Sequence, residues 1–295
     1  MKPDVVMNFR GKPYNMTEEP LVMGILNHTP DSFYSQSRVD GEKMIHDRIE
    51  QILSEGASII DVGGYSSRPD ASDVSPEEEW KRVKQVLSII RQSYPDVPVS
   101  VDTFRAEVAR RSIEEGDADI INDVSGGIID PEMLSTIAQL QVPYILMHMR
   151  GTPKTMQKLC GYEGRVADGV INELLVTIQK LEELGLKREN IILDPGFGFS
   201  KTTEQNYELM ADLDKFIALD FPLLVGISRK SMIYRLFGTT PQEALNGTSI
   251  LNTISLMKGT HIIRVHDVRE AVEAVKITSE LRRLRHQNAQ PFVAK

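Results

Sequence analysis

The sequence predicts a single (β/α)8 TIM barrel with an N-terminal β-hairpin. Eight short apolar runs alternate with helical patterns along 295 residues, and this alternation is typical of parallel βαβ units. Eight such units in this length fit one barrel. Polar side chains end the apolar runs, as the ligand-binding face of a barrel requires. A doubly wound sheet is the alternative fold, because periodicity alone cannot show that a sheet closes.

The composition is that of a globular protein in water. Hydrophobic residues make up 41% of the chain and charged residues 26%, with a net charge of -8. This acidic balance argues against a broad nucleic-acid surface, while a local basic pocket for an anion is compatible with it. The chain has one cysteine, Cys160, no signal-peptide core and no apolar run of membrane-spanning length. We therefore expect a cytoplasmic protein without nucleic-acid or membrane partners.

The elements follow one another along the chain. Residues 4–19 predict a hairpin that turns at Gly11-Lys12 and covers the barrel floor. The predicted strands are 20–27, 57–63, 97–102, 119–124, 142–148, 191–194, 221–228 and 261–266. The predicted helices are 42–54, 76–94, 105–115, 131–140, 166–184, 203–213, a region within 233–257, and 268–285. We expect a capping hairpin over 1–19, the barrel over 20–285 and a C-terminal tail over 286–295.

Periodicity separates the helices from the strands. Trp80, Val83, Leu87 and Ile90 recur every three or four residues, which indicates a helix that packs one face inward. The strand predictions depend instead on short continuous apolar runs, which are typical of parallel strands covered on both faces.

The segment 191–201, I-I-L-D-P-G-F-G-F-S-K, joins a strand to a candidate site. Its apolar run delivers Asp194 to the strand end, and a proline then fixes a turn. Gly196 and Gly198 let the backbone approach a flat ligand, and Phe199 offers a ring beside it. An ordinary strand-to-helix turn, in which Asp194 caps a backbone amide, explains the same residues.

Two polar residues at neighbouring strand ends predict recognition of a heterocycle. Asp102 and Asn122 end adjacent predicted strands. A carboxylate beside an amide matches an aminopyrimidinone edge, which presents donors and acceptors alternately. Met147 lies near the end of the following strand and is suited to lie against a planar ring, although a core methionine is the alternative.

Hydrogen-bond donors on basic side chains at later strand ends predict an anion site. Arg264 and His266 are two residues apart on one strand, so guanidinium and imidazole project from the same face and suit a diphosphate. Arg229 and Lys230 follow the preceding strand, a usual position for anion or ring-carbonyl contacts. The loop within 61–69 adds glycines, hydroxyls and a guanidinium, and a flexible Ser/Gly loop explains it equally well.

Asn27 ends the first barrel strand. Its amide oxygen would be a hard ligand for Mg²⁺, an ion that keeps several waters and completes its shell with phosphate oxygens. An Asx-turn is the alternative. The histidines have no metal-ligand spacing with one another, and no P-loop or dinucleotide fingerprint occurs.

Six motifs together resemble the dihydropteroate synthase family. They are 27–33 (N-H-T-P-D-S-F), 66–69 (S-S-R-P), 122–127 (N-D-V-S-G-G), 194–199 (D-P-G-F-G-F), 228–231 (S-R-K-S) and 264–266 (R-V-H). The resemblance covers about 21 to 284. It implies a barrel enzyme that joins 6-hydroxymethyl-7,8-dihydropterin diphosphate to p-aminobenzoate, releasing diphosphate and making 7,8-dihydropteroate for folate synthesis.

The resemblance also implies roles for matching residues. It implies that Asp194, Lys230, Arg264 and His266 are catalytic. The implied pterin contacts are Asp102, Asn122, Asp194 and Lys230 with Met147 beside the ring; the diphosphate contacts are Ser67, Arg264 and His266; and the p-aminobenzoate contacts are Phe33, Arg68, Pro69, Phe199, Lys230 and Ser231. Asn27 would bind the Mg²⁺. Sulfonamide inhibition is a further implication.

A homodimer is implied as well. The segment 244–257 is the candidate interface helix because it carries several large apolar residues. These are Leu245, Ile250, Leu251, Ile254 and Leu256. Burial against the barrel explains the same residues equally well.

Two loops depart from the family pattern. Ser35 stands where an acid is common, and Tyr65 stands where glutamate is common. Both changes alter the lid loops and leave the pterin floor untouched. Two alternative functions stay open. One is a pterin-binding barrel that has lost turnover, with lids altered at Ser35 and Tyr65; the other is a methyltetrahydrofolate-type methyltransferase, which would not need Arg264 and His266 or the Asn27 loop.

Overall fold

The computed structural model describes residues 4–28, 38–65 and 74–287. The strands are β1 (Val6–Phe9), β2 (Lys12–Asn15), β3 (Leu21–Asn27), β4 (Ile59–Gly63), β5 (Val99–Asp102), β6 (Ile120–Asp123), β7 (Tyr144–Met147), β8 (Ile191–Asp194), β9 (Leu224–Val225) and β10 (Ile262–Val265). The α-helices are α1 (Arg38–Ser54), α2 (Pro76–Ser93), α3 (Ala106–Glu114), α4 (Met133–Leu140), α5 (Val166–Glu183), α6 (Thr203–Ala211), α7 (Asp214–Ile217), α8 (Ser231–Phe237), α9 (Leu245–Met257) and α10 (Val268–Gln287). Each of the eight predicted barrel strands is present.

The eight barrel strands form one closed parallel sheet. They lie in the order β8-β7-β6-β5-β4-β3-β10-β9, and each neighbouring pair is parallel. The two ends meet where Leu193 forms a parallel bridge with Leu223, and the Leu193 amide donates to the Pro222 carbonyl at 2.9 Å. This closure confirms the barrel and excludes the doubly wound sheet.

The hairpin of β1 and β2 packs on the amino-terminal end of the barrel. Arg10 and Gly11 have φ of 51° and 75°, which is the conformation of a two-residue hairpin turn. The turn therefore lies one residue before the predicted Gly11-Lys12. The buried side chains there form a set that we call the floor cluster: Met7, Phe9, Met16, Leu21, Met23, Ile59, Ile120, Ile145, Ile192, Leu224 and Ile262.

The larger part of the core lies between the strands and the helices. On β4, Ile60 and Val62 belong to this layer, while Ile59 belongs to the floor cluster, because successive strand side chains alternate between faces. The helix predicted from the spacing of Trp80 and its partners is α2, whose periodic residues are buried. Ser75 caps it, since its hydroxyl accepts a hydrogen bond from the Glu78 amide at 3.2 Å.

Several helix predictions differ from the structure at their ends. The region within 233–257 contains two helices, because Gly238 ends α8 with a φ of 62° and a 3-10 turn over Pro241–Glu243 precedes α9. The first helix begins at Arg38 instead of 42, and α6 ends at Ala211 instead of 213. No helix within the described ranges is long and apolar enough to cross a membrane.

The last helix, α10, continues to Gln287. It therefore includes 286–287, which the sequence assigned to the tail, and the remaining tail residues, 288–295, lie outside the described part of the chain. The three-segment division of the chain stays a prediction.

Candidate active site

Polar side chains line the barrel directly above the floor cluster. Two residues after Ile59, Ile120, Ile192 and Ile262 of that cluster come Asp61, Asn122, Asp194 and Arg264. Residues two apart on a strand face the same side, so all four side chains project into the barrel at its carboxyl-terminal end. With Asp102 and Lys230 they form what we call the strand-end cluster.

Arg264 holds two carboxylates of this cluster. Its Nε donates to Asp61 Oδ2 at 2.6 Å, and its Nη2 donates to Asp102 Oδ2 at 2.7 Å. Burial opposes the positive charge, but the two carboxylates prevail and raise the pKa of Arg264. Arg264 is therefore a permanent cation that joins three strands, β4, β5 and β10.

Asp61 belongs to the strand-end cluster but not to the site residues predicted from the sequence. Its side chain is fully buried, and the Asn122 amide nitrogen lies 3.3 Å from its Oδ2. The available signal was the inward position two residues after Ile59, because an acid buried on a barrel strand needs a partner. That partner, Arg264, is about two hundred residues away in sequence.

Asp102 and Asn122 lie side by side, as predicted, because they are paired in the register of β5 and β6. Burial raises the pKa of Asp102 to about 7; the Arg264 guanidinium acts against this shift, and the Asp61 carboxylate adds to it. Asn122 is buried. The pair thus offers a carboxyl group and an amide on one surface inside the barrel.

Asp123, next to Asn122, points to the other side of the sheet. Its carboxylate accepts hydrogen bonds from the Tyr144 hydroxyl and from the amides of Ser125 and Gly127, each at 2.7 Å. Burial raises the pKa of Asp123, and these hydrogen bonds oppose the shift. Asp123 therefore fixes the loop after β6, while Asn122 remains in the barrel.

Asp194 ends β8 and is 6% exposed. Its Oδ1 accepts a hydrogen bond from the Gly196 amide at 2.8 Å. This is the contact of an ordinary strand-to-helix turn, which was the alternative interpretation of Asp194 from the sequence. Burial raises the pKa of Asp194, and the Lys230 ammonium opposes the shift. A carboxylate has two oxygens, so the turn contact leaves acceptor capacity for a ligand.

Lys230 reaches from the start of α8 to the loop after β8. Its ammonium donates to the Phe197 carbonyl and lies 4.5 Å from the centroid of the Phe199 ring. Burial lowers the pKa of Lys230 to about 8, and Asp194 opposes the shift. Ser231, the first residue of α8, is half-buried beside it. The structure thus places Asp194, Lys230 and Phe199 close together.

Met147 lies between the site and the core. It is 3% exposed, pairs with Asp194 in the register of β7 and β8, and belongs to an apolar cluster that also contains Phe199. This position suits both of the roles expected from the sequence, a core methionine and a contact for a planar ring.

His266 follows β10 at the exposed rim of the barrel mouth. Its Nδ1 lies 3.0 Å from Ser228 Oγ, and its backbone amide donates to the same oxygen at 3.2 Å. Partial desolvation and the nearby Arg264 cation lower the pKa of His266. The lowered pKa favours the neutral imidazole, which projects from the same face of the strand as Arg264.

Arg229 has a different role from the predicted anion contact. It adopts a positive φ of 55°, and its guanidinium forms a double ion pair with Asp267 at 2.9 and 2.8 Å. It also donates to the carbonyls of Pro241 and Gln242. Arg229 therefore fastens the loop before α8 to the loop after β10.

Tyr65, one of the departures from the family pattern, packs against two neighbours from another loop. Its ring meets the Phe104 ring edge-on at 5.0 Å, and the Arg105 guanidinium lies 5.2 Å from its centroid. Arg105 also pairs with the buried Glu79 at 2.6 Å. Aromatic packing thus surrounds Tyr65, at the position where the resemblance predicts an acid.

The candidate metal ligand Asn27 ends β3 and is half-buried. A Cβ atom on Gly63 would come within 2.9 Å of Asn27 Oδ1, so glycine at 63 leaves room for this amide. Within the described ranges, no three His, Cys, Asp or Glu side chains form a metal site. Four predicted site residues, Phe33, Ser67, Arg68 and Pro69, and the departure Ser35 lie outside the described residues.

Comparisons with known proteins agree with this fold. Residues 23–266 match the pterin binding enzyme family. The chain is 45% identical over 262 residues to the dihydropteroate synthase of Escherichia coli (strain K12), covering 88% of this chain and 90% of that protein. It is 40% identical over 273 residues to that of Clostridium beijerinckii, covering 92% and 98%. The Yersinia pestis dihydropteroate synthase, solved with a sulfonamide drug complex, superposes with a TM-score of 0.86 at 38% identity, covering 95% and 99%.

Proposed function

The chain belongs to the pterin binding enzymes and, within them, to the dihydropteroate synthases; from this premise we propose how its barrel mouth performs the reaction. The enzyme condenses 6-hydroxymethyl-7,8-dihydropterin diphosphate with p-aminobenzoate, giving 7,8-dihydropteroate and diphosphate in folate synthesis. The observation that carries the residue assignments is the strand-end cluster, in which Arg264 joins Asp61 and Asp102 beside Asn122.

The pterin ring binds over the strand-end cluster. The carboxyl groups of Asp102 and Asp194 accept from the ring amino and N–H groups, and the Asn122 amide both donates and accepts. These groups are largely removed from water, so each matched hydrogen bond discriminates strongly against a ligand with the wrong pattern. Met147 provides an apolar surface for the ring.

The chemical step is cleavage of the bond between the pterin methylene carbon and the diphosphate oxygen. The electron pair leaves with diphosphate, and the positive charge left on the methylene is delocalised into the pterin ring. Arg264, His266 and Ser67 hold the leaving group, while the Asp194 carboxylate favours the developing cation. Arg264 donates to the two acids through Nε and Nη2, and its guanidinium has further N–H groups for phosphate.

The arylamine completes the reaction as a neutral nucleophile. Its nitrogen forms the new bond to the methylene carbon and then loses a proton, so neither an activated serine nor a covalent enzyme intermediate is needed. The p-aminobenzoate lies towards Lys230, Ser231 and Phe199, with Phe33, Arg68 and Pro69 completing its pocket. Catalysis is therefore mostly positioning and electrostatic stabilisation.

Asn27 is the proposed protein ligand of Mg²⁺. Its amide oxygen is of the hard type that Mg²⁺ prefers, and Gly63 leaves space beside it. Mg²⁺ keeps several waters and completes its shell with substrate oxygens, so it needs few protein ligands. A single amide oxygen from Asn27 is compatible with this requirement. When bound, Mg²⁺ supplies neutralisation of the charge on the diphosphate.

The proposed assembly is a homodimer formed through α9 and α10. Each helix carries an exposed apolar stripe at the spacing i, i+4, i+7, and the two helices pack together. The stripes are Ile250, Ile254 and Met257 on α9, and Ile277, Leu281 and Leu284 on α10. On the other side of α9, Leu251 and Leu256 are buried. A joint apolar surface on two helices is typical of a subunit interface.

The deciding experiment is diphosphate release from 6-hydroxymethyl-7,8-dihydropterin diphosphate. It is measured with and without p-aminobenzoate, and again after chelation of Mg²⁺. We expect release to require both the arylamine and the metal and to be matched by formation of 7,8-dihydropteroate. Pterin diphosphate binding without release would favour the inactive pterin-binding barrel and direct attention to Ser35 and Tyr65.

A further inference from the structure

Lys201 is a buried lysine outside the strand-end cluster, only 3% exposed. Its Nζ donates to the carbonyl oxygens of Gly196 and Phe199, both at 3.0 Å, and lies 3.1 Å from His148 Nδ1. A lysine ammonium has three N–H donors, and each of them meets one acceptor here. Burial lowers the pKa of Lys201, and the Asp194 carboxylate opposes the shift.

His148 connects Lys201 to the outer helix layer. It follows Met147, which faces the barrel interior, so its own side chain faces the helices. Its Nε2 lies 3.0 Å from Glu173 Oε2 on α5. Because Nδ1 accepts from Lys201, the imidazole proton is on Nε2 and is donated to Glu173. Burial lowers the pKa of His148 to about 4, so the ring is neutral at pH 7.

Glu173 is the outer end of this connection. Desolvation opposes its charge, but hydrogen bonds from His148 and Arg150 prevail and lower the pKa of Glu173 to about 2. Its side chain is 43% exposed, so the carboxylate is in contact with water. An ionised surface carboxylate thus fixes the tautomer of a buried histidine, which in turn orients the Lys201 ammonium.

The loop held by Lys201 has a backbone that needs support. Gly196, Gly198 and Ser200 all have positive φ, at 71°, 82° and 51°, and Ser200 adopts this conformation against its steric preference. A Cβ atom on Gly196 would lie 2.0 Å from the His148 carbonyl. The loop therefore packs tightly against the end of β7 at Gly196. Loss of the Lys201 hydrogen bonds would change the backbone conformation of this loop.

Two lysines hold this loop from opposite sides. Lys230 donates to the Phe197 carbonyl from the barrel mouth, and Lys201 donates to the Gly196 and Phe199 carbonyls on the side of the helices. The same short segment carries Asp194 at its start and the Phe199 ring at its end. Its backbone geometry therefore sets the direction of both side chains.

We propose that Lys201 is a positioning residue for the synthase reaction: held through His148 and Glu173, its ammonium fixes the loop 194–199 from the helix side and so aims Asp194 and Phe199 at the substrates. The inference depends on the proposed assignment of Asp194 and Phe199 to the substrates. Turnover by the wild-type enzyme tests the proposed function, whereas the variants below test the role of Lys201. A wrong function and a wrong role for Lys201 would therefore give different results.

The first test replaces Lys201 by methionine, which retains much of the side-chain volume and removes the three donors. We expect kcat/KM for the pterin diphosphate to fall by about 100-fold, and Lys201→Arg to recover at least part of that loss because it keeps a cation. Lys258→Met is the matched control, since the Lys258 ammonium also donates to a backbone carbonyl, that of Ala211 at 2.7 Å, away from the site. A Lys201→Met enzyme within about threefold of wild type would overturn the proposal.

The second test keeps the lysine and changes its support. Glu173→Ala removes a half-exposed side chain, so the protein should fold, and it frees the His148 proton to move to Nδ1 against Lys201. We expect kcat/KM for the pterin diphosphate to fall about tenfold when it is measured well below the melting temperature of this variant and of Glu183→Ala, a control on the same helix. The 15N shifts of the imidazole should report the change of tautomer.

Two outcomes of this second test would overturn the proposal even if Lys201→Met does not fold. One is wild-type kinetics in Glu173→Ala. The other is an equal loss of activity in Arg150→Gln, because Arg150 also pairs with Glu173 and such a result would assign the effect to that ion pair. Loss in Glu173→Ala alone supports the role of Lys201.

Discussion

At the scale of single residues, charge pairs inside the barrel organise the site. One guanidinium, that of Arg264, serves Asp61 and Asp102 together, and Asn122 completes the group through its 3.3 Å contact with Asp61. Removing any one partner leaves a buried charge without compensation, which costs more than the contact itself. The functional surface is thus set by a shared network and not by independent contacts.

Asp61 provides the sharpest residue-scale prediction. Asp61→Asn keeps the shape of the side chain but removes the charge that faces Arg264 Nε. We expect the guanidinium to reorient towards Asp102 and kcat/KM for the pterin diphosphate to fall at least about tenfold. Steady-state kinetics with varied pterin diphosphate measure the effect.

Asp117→Asn is the matched control for Asp61→Asn. Asp117 also pairs with an arginine, Arg10, at 3.0 Å, but its side chain is 64% exposed and lies at the opposite end of the barrel. Surface ion pairs of this kind contribute little. If the two variants had the same kinetics, Asp61 would have no special role in orienting Arg264.

At the scale of elements, we expect the hairpin of β1 and β2 to contribute to stability and not to chemistry. Phe9 is 1% exposed in the floor cluster, whereas the proposed substrate site is at the other end of the barrel. We expect Phe9→Ala to destabilise the fold by about 3–5 kcal/mol, as for other buried aromatics. The kcat measured well below the melting temperature should stay within about twofold of wild type.

Val6→Ala on the same strand is the control for Phe9→Ala, because Val6 is 53% exposed. It should change the free energy of unfolding by about 0.5 kcal/mol or less. Denaturant unfolding compares the two variants. A large fall in kcat for Phe9→Ala in the folded protein would contradict the separation of floor and site.

The helix pair α9 and α10 leads to a prediction about assembly. Ile254→Glu places a charge in the middle of the exposed α9 stripe, and a buried unpaired charge strongly opposes association. We expect the variant to be monomeric and the wild-type protein to be dimeric by sedimentation or light scattering.

Val176→Glu on α5 is the matched control for the interface. Val176 is also exposed, at 56%, but lies on a different helix, so this variant should remain dimeric. A dimeric Ile254→Glu protein would show that the interface is not formed by the α9 stripe. A monomeric wild-type protein would contradict the proposed assembly.

At the scale of the whole molecule, buried histidines link stability to pH. His261 is 6% exposed, and its Nδ1 accepts from the Leu223 amide at 3.0 Å where the barrel closes. Burial lowers the pKa of His261 to about 4, below its value in the unfolded chain. The stability that neutral His261 contributes is therefore complete above about pH 6.5 and is lost as pH falls towards 4.

His261→Asn isolates this contribution, because the Asn amide oxygen can accept from the same backbone N–H. Between pH 7 and 4.5, the free energy of unfolding should fall more in the wild type than in the variant, by up to about 3 kcal/mol. Unfolding curves at several pH values measure the difference. Parallel curves would show that His261 is not titrating differently in the two states. Other buried groups, such as Asp194, are common to both proteins and cancel in the comparison.

The parts of the fold that follow from local patterns were predictable. The eight strands were predicted from apolar runs, and α2 was predicted from the period of a helix. Both patterns are reliable because the apolar residues that form them are the ones that pack in the core. The position of the hairpin turn and the separation of α8 from α9 were harder to predict from the sequence. They depend on backbone conformations at Arg10 and Gly238 that neighbouring residues and packing decide.

The candidate site was accessible from the sequence where its residues end strands or belong to family motifs. Asp102, Asn122, Asp194, Lys230 and Arg264 were selected in this way, and the structure brings them together, while their roles stay predictions. Asp61 and Lys201 were not, because what distinguishes them is a partner distant in sequence: Arg264 in one case and His148 in the other. Arg229 shows the reverse, since a motif position suggested an anion contact and tertiary packing gave it Asp267.

The sequence by itself determined the alternation of strands and helices, the end of the barrel that carries polar groups, and the family. These follow from local composition and spacing, which a linear chain records directly. Tertiary structure alone decided the closure at Leu193 and Leu223, the pairing of Arg264 with two acids, and the contact of Lys201 with His148. Each of these depends on distances between residues far apart in the chain, which exist only after the barrel has closed.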